Sequence, residues 1–426
     1  MTTTPWQESK AAWERTKLSI PGGVSTGLRA SMPPHPLFFA GGKGPRLIDI
    51  DGNTYIDYVL GWGPVILGHG NAHLGEAVAK QLPLGATYGA GHLLEAEVAE
   101  KVISRIPGME QVLWSNTGTE AVQVALRLAR GATGRNRFVK FGGHYHGWSD
   151  PMLVGYRPDS SGDLALGSSG QNPSVLDDVE ILPWGDLESV RQALRAPGAD
   201  IAAIILEPVL CNSGVIEPPI GFLKGLRDLA DETGTILIFD EVITGFRIAS
   251  GGAVERYGVV PDLVILAKAI AGGYPLSAVA GKARVLKQTT SGVVHAGTYN
   301  GNPISLAAAG ATLDELAVTG TYERLEGMGL ALATGLRSAF REHGIPVTIN
   351  QVGPVVQCMP GTLDAATFAD FLAQDLDMYN RFLVEMLKRG VFALPGGRWY
   401  ISTAHTPADI AETVNVAADS LAAIAH

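Results

Sequence analysis

The chain has 426 residues, 46% of them hydrophobic and 17% charged, enough for a large core and more than one domain. A net charge of −10, from 32 basic against 42 acidic residues with no basic stripe, argues against a nucleic-acid partner. Cys211 and Cys358 are too few for a disulfide framework or a cysteine-based metal site, so no metal is expected. The polar N-terminus lacks an apolar signal stretch, and no apolar run approaches the roughly 18 residues of a membrane span. The expectation is a cytoplasmic chain without a membrane partner.

Residues 5–18 read as an amphipathic helix ended by Pro21, Gly22 and Gly23. Short strands follow, with a hairpin-type turn at Asp51, Gly52 and Asn53. A helix is expected over 93–106. From about 111 to 282, strands at 111–115, 137–141, 178–182, 201–207, 235–240, 262–267 and 277–281 alternate with helical patterns. Continuous β-branched runs separated by helices predict an α/β fold with a buried, mostly parallel seven-stranded sheet. Residues 151–176 read as a long loop, of the kind that serves as a lid. A long helical stretch begins after 302. The last hundred residues read as a smaller α+β region, with strands in VTINQVGPVVQC, a helix near 364–389, strands GVFAL and RWYIS, and a final helix. The expected division is 1–65 as an N-terminal segment packing with the small domain, 66–318 as the large domain, and 319–426 as the small domain.

Four features carry chemistry. Strands TILIFD and DLVILA run into Asp240 and Lys268 at their carboxyl ends, where open parallel sheets bind ligands. The pair fits either two groups facing one ligand or a buried ion pair. Ser115 to Glu120, SNTGTE, follows a strand and opens a helix. Gly118 lets backbone approach an anion, Thr117 and Thr119 offer hydroxyls, and the helix start offers free N–H groups. An ordinary threonine-capped helix has the same appearance. Tyr145, in GHYHG after RFVKF, can stack on a planar cofactor, while His144 and His146 lack further ligands at a metal-binding spacing. Together, a phosphate cradle, a stacking ring, a carboxylate and a lysine specify a pocket for pyridoxal 5′-phosphate (PLP). Lys268 would hold the cofactor as a Schiff base, and Asp240 would keep the ring nitrogen protonated.

These landmarks also carry a resemblance. IPGGVSTGLRA, YIDYVLGWGPVILGH, SNTGTEA, GGHYHGWSDP, LEPV, LIFDEVITGFR, AKAIAGGYPLSAVAG, GTYNGNPISLAAA and YISTAH occur in this order over nearly the whole chain. The chain resembles the class III (ω-type) PLP-dependent aminotransferases of fold type I, in their glutamate-1-semialdehyde aminomutase-like branch. The resemblance implies that Gly118 and Thr119 hold the phosphate and that Tyr145 and Val242 sandwich the ring. It puts Glu207 near the cofactor hydroxyl and has Thr298 reach the phosphate of the other subunit. A homodimer with a shared active site follows. Val242 as plain core and Glu207 as a structural acid are the alternatives.

For the substrate, the resemblance implies Trp62 as a pocket wall and Arg29 as a carboxylate clamp. Simple packing and a surface or inter-subunit ion pair are the respective alternatives. Aminomutases tend to carry an acid shortly before a Phe-x-Ser-x-Ala-His segment, where this chain has LPGGRWYISTAH. Arg398 there would recruit a carboxylate-bearing substrate, or is a residue on an edge strand. The departure favours an aminotransferase moving an amino group between separate donor and acceptor by a ping-pong cycle. The alternatives are intramolecular transfer of the glutamate-1-semialdehyde 2,1-aminomutase type and a racemase on the same fold.

Overall fold

The computed structural model describes residues 6–158 and 166–424. The chain divides into two compact units, one formed by residues up to Ala72 together with those from Glu323 onward, the other by His73–Tyr322.

The first unit begins with the helix Gln7–Thr16, two residues shorter at each end than the expected 5–18. Trp6 donates its indole N–H to the Tyr55 hydroxyl at 2.7 Å, and that hydroxyl donates to Asp49 at 2.6 Å. β1 (Phe39–Lys43), β2 (Arg46–Asp49) and β3 (Thr54–Asp57) form an antiparallel meander. The turn between β2 and β3 has Gly52 at φ 87°, a conformation that favours glycine.

The second unit holds the large sheet. Its strands are β4 (Gln111–Ser115), β5 (Arg137–Phe141), β6 (Val179–Leu182), β7 (Ile201–Leu206), β8 (Ile236–Asp240), β9 (Leu263–Leu266) and β10 (Ser277–Gly281). Their order is β4-β10-β9-β8-β7-β5-β6. All neighbours run parallel except β10, which is antiparallel to both β4 and β9. β7, β8 and β9 are buried at every position, so they read as unbroken apolar runs rather than alternating ones. The helix Gly118–Thr133 buries Ala121, Val122, Val124, Ala125, Leu126, Leu128 and Ala129 against β7–β10.

The chain returns to the first unit at Glu323, near the start of the second of the next two helices. The long helical stretch after 302 is two helices, Pro303–Leu316 and Thr321–Glu342. β11 (Val347–Val352) and β12 (Val355–Pro360) pair as a hairpin. The helix expected near 364–389 is broken into Phe368–Leu372 and Leu376–Lys388. Asp375 sits between them with non-helical ψ 87° and accepts the Met378 N–H, so it starts a new helix instead of continuing the old one. β13 shrinks to Val391–Phe392 and pairs parallel with β3, and β14 (Arg398–Tyr400) pairs with β12. The final helix is Pro407–Ile424. Among the described residues, no helix is long and apolar enough to cross a membrane.

Candidate cofactor and active site

The site residues of the large sheet converge because parallel strands end at one edge. β8 delivers Asp240 and β9 is followed by Lys268. Lys268 adopts φ 48°, which a non-glycine residue accepts only when its surroundings enforce it. Asp240 is buried; one carboxylate oxygen accepts the Val242 N–H at 3.0 Å and the other faces His146 Nδ1 at 2.7 Å. Burial raises the Asp240 carboxyl to about 7, against the pull of the Val242 N–H and of Lys268 in the opposite direction. The two residues are thus in electrostatic contact, as the ligand-facing and ion-pair readings both require.

Thr117 caps the helix Gly118–Thr133: its hydroxyl oxygen accepts the Glu120 N–H at 3.2 Å, and Glu120 accepts the Thr117 N–H at 2.9 Å. Cap and cradle are therefore one device. The capping box occupies the Glu120 N–H and leaves the first-turn N–H groups of Gly118 and Thr119 aimed outward at a helix N-terminus. Ser277 of β10 supports it by donating to the Thr117 carbonyl at 2.7 Å. A Cβ on Gly118 would lie 3.3 Å from Val242, so cradle and Val242 adjoin. Gly147, at φ 90°, packs on the other side, where a Cβ would fall 2.5 Å from Thr119 Oγ1.

Tyr145 is half-buried, with Tyr156 against it at 4.8 Å between ring centroids. Glu207 accepts the Tyr145 N–H at 2.8 Å with one oxygen and the Asn212 backbone and side-chain N–H groups with the other. Asn212 is a site neighbour that the motif reading missed; only proximity across the β7 end reveals it. Lys140, fully buried on β5, donates to the carbonyls of Met152 and Val154 at 2.7 and 2.6 Å, and burial lowers its amine to about 7. Arg157 holds the next residues by donating to Ser213 Oγ at 2.8 Å. In the loop read as a lid over 151–176, residues 159–165 lie outside the described residues, and Asp150–Leu153 is a short helix.

No cluster of three or more His, Cys, Asp or Glu suited to a metal, around His144 and His146 or elsewhere, occurs among the described residues. Each instead uses Nδ1 on a neighbour: His146 on Asp240, and His144 as acceptor of the Glu207 N–H at 3.0 Å. The i, i+2 spacing in GHYHG was the available signal, and the two imidazole rings lie 5.9 Å apart, centroid to centroid.

Thr298 is exposed and lines a cavity of about 500 Å³ with Tyr88, His92, Glu95 and Asn300; the cradle residues are not among its walls. In the other unit, Arg29 and Trp62 line one cavity of about 450 Å³, with Met32, Phe38, Phe39 and Phe392 among its walls. Leu60, Gly61, Trp62 and Gly63 all have positive φ, of 48°, 64°, 72° and 104°, so Trp62 stands on a sharply turned segment. Arg398 is not a wall of that cavity. It is half-buried on β14 opposite Gln357, with its guanidinium 5.5 Å from the Tyr400 ring. Trp399 is core, fully buried, and donates to the Tyr379 hydroxyl at 2.9 Å.

The family model for class-III aminotransferases matches residues 29–417. The chain is 43% identical over 424 residues to a glutamate-1-semialdehyde 2,1-aminomutase of Desulfitobacterium hafniense, covering 97% of this chain and 98% of that one. Among solved structures, an omega-transaminase from Sphaerobacter thermophilus matches with a TM-score of 0.90 at 30% identity, covering 98% of both chains. A transaminase with PLP bound matches equally well, at 29% identity over 99% of this chain and 98% of that one. The chain belongs to the class III aminotransferase family of PLP-dependent enzymes. Its cofactor is PLP, and its substrates are small molecules. The residues present fit that group: Asp240 has lone pairs left for a ring N–H after its two contacts, and the Gly118 surface leaves little room for a side chain between cradle and Val242.

Proposed function

We propose that the chain moves an amino group within one molecule, as a glutamate-1-semialdehyde 2,1-aminomutase does, to give 5-aminolevulinate. The observation that carries this reading is the 43% identity to such an enzyme across 97% of the chain. PLP supplies, when bound, an aldehyde that captures amines and a ring that withdraws electrons from the adjoining carbon. Lys268 holds that aldehyde and, once displaced, takes a proton from the substrate's amine-bearing carbon and returns it at the neighbouring position. Asp240 accepts the ring-nitrogen hydrogen bond, Gly118 and Thr119 with Thr117 behind them bind the phosphate, and Tyr145 and Val242 flank the ring. Glu207 orients the hydroxyl side through its contacts with Tyr145 and Asn212. Arg29 clamps the substrate carboxylate and Trp62 walls the pocket. Thr298 serves the partner subunit's phosphate, so the active form is a homodimer with shared sites.

A second reading, transfer between separate donor and acceptor, is favoured by one observation. The stretch 394–402, LPGGRWYIS, holds no acid, and Gly397 cannot be replaced by one: at φ 92°, its Cβ would meet the Cys358 carbonyl oxygen at 2.1 Å. Arg398 would then favour a carboxylate-bearing partner. The deciding assay supplies glutamate-1-semialdehyde with no amino acceptor. Formation of 5-aminolevulinate supports the first reading. Turnover only when a keto acid or aldehyde is added, with a distinct amine donor consumed, replaces it with the second.

A further inference from the structure

Three buried ring nitrogens without a protein partner gather behind Asp240: His146 Nε2, His144 Nε2 and Trp184 Nε1. The His144 ring lies 5.9 Å from that of His146 and 4.7 Å from that of Trp184, centroid to centroid, and both imidazoles are buried. Hydrogen-bond polarity is set at the other end of each imidazole. His144 Nδ1 accepts a backbone N–H from Glu207, so its Nε2 carries the hydrogen. His146 Nδ1 faces a carboxylate oxygen, so as the donor it leaves a lone pair on Nε2. One unpaired donor and one unpaired acceptor thus sit on neighbouring buried rings, and leaving both unsatisfied is costly. A water that accepts from His144 and donates to His146 satisfies both, with the Trp184 N–H as a third partner, the usual number for an internal water. Burial, with Lys140 and His146 adding repulsion, holds both imidazoles neutral, as this polarity requires.

We propose that His146 is a positioning residue that keeps Asp240 ionised and aimed at the cofactor's ring nitrogen, and that a buried water between His146 and His144 extends the pair to Glu207. The proposal rests on the reading of Asp240 as the ring-nitrogen partner. The structural consequence is a single hydrogen-bonded line from the ring-nitrogen side to the hydroxyl side of the cofactor site: Asp240, His146, water, His144 and the Glu207 backbone. Without the His146 N–H, one carboxylate oxygen of a buried Asp240 loses its donor, and the protonated acid, which cannot hold a positive ring nitrogen, gains ground.

Lys140, Tyr145, Glu207, Glu241 and Lys268 are the other titratable groups facing this line, so a pH profile alone would mix their effects. The test therefore reads the ring nitrogen directly. Holoenzyme is reconstituted with PLP labelled with nitrogen-15 in the ring, and the nitrogen resonance is recorded for wild type, His146→Phe, His146→Asn and Asp240→Asn. The expected result is a protonated ring nitrogen in wild type, its shift toward the unprotonated position in His146→Phe, and its return in His146→Asn, whose amide N–H stands in for Nδ1–H. A wild-type resonance in His146→Phe overturns the proposal. If Asp240→Asn also leaves the resonance unmoved, the reading of Asp240 fails with it; if Asp240→Asn alone moves it, only the role of His146 fails. Should His146→Phe not fold, His146→Gln, whose amide reaches toward the Nε2 position, carries the same expectation. A crystal structure of the holoenzyme with no density bridging the two Nε2 atoms overturns the relay.

Discussion

The two ends of the proposed cofactor site are made of different materials. At the phosphate end, the cradle consists of backbone N–H groups, a threonine cap and glycines, all near the start of one helix. At the ring end, Asp240, His146, His144, Glu207 and Lys140 come from three separate places in the chain, and all are buried. The first end binds charge with fixed dipoles that exist whenever the helix exists. The second takes ionisable groups out of water, so each needs a partner from elsewhere in the fold. Replacing a cradle residue should therefore change how tightly the cofactor is held, while replacing a buried ionisable group should change the chemistry and its pH dependence.

The largest effect is expected at Lys268. Lys268→Ala should lower turnover by at least about 10³-fold, since both covalent capture and the proton-moving base are lost. Borohydride reduction should then no longer attach PLP to the chain, which mass spectrometry reads. At the ring end, Asp240→Asn should cost about 10²–10³-fold in kcat/KM while leaving cofactor bound, as loss of a preorganised electrostatic partner does. A cofactor-free variant instead would assign Asp240 a holding role and blur the contrast between the ends.

At the phosphate end, Gly147→Ala forces a Cβ against Thr119 at φ 90°. It should destabilise the fold by about 1–3 kcal/mol and weaken PLP binding, as measured by thermal unfolding and cofactor titration. A smaller effect concerns pH. In the cofactor-free chain, the Asp240 carboxyl sits at about 7 against an ordinary 3.8. Between those values the folded state keeps a proton that the unfolded state has released, so stability from this group falls as pH rises from about 4 to about 7. Denaturant titration should show wild type losing stability relative to Asp240→Asn over that window, and a flat difference would break the account. In the other unit, Trp399→Phe removes one buried hydrogen bond to Tyr379 and should cost about 1–2 kcal/mol with PLP affinity unchanged.

Local signals carried much of this molecule. The strand segments of the large sheet, the capped helix at Thr117, and Asp240 and Lys268 at strand ends are all visible in runs of a few residues, because apolar runs, caps and glycines act over short distances. The break at Asp375 was missed because a helical pattern persists on both sides of a residue that caps locally. The two-residue β13 was overread because apolar content does not reveal how many residues find a strand partner.

By itself the sequence determined the α/β class, the PLP chemistry and the family, since these rest on periodicity and on motifs whose spacing is local. Only the tertiary structure decided which polar groups face each other: His146 on Asp240, His144 on Glu207, and Arg398 away from the cavity of Arg29 and Trp62. A hydrogen bond holds over about 3 Å. Residues separated by dozens of positions reach that distance only when strands from different parts of the chain lie side by side.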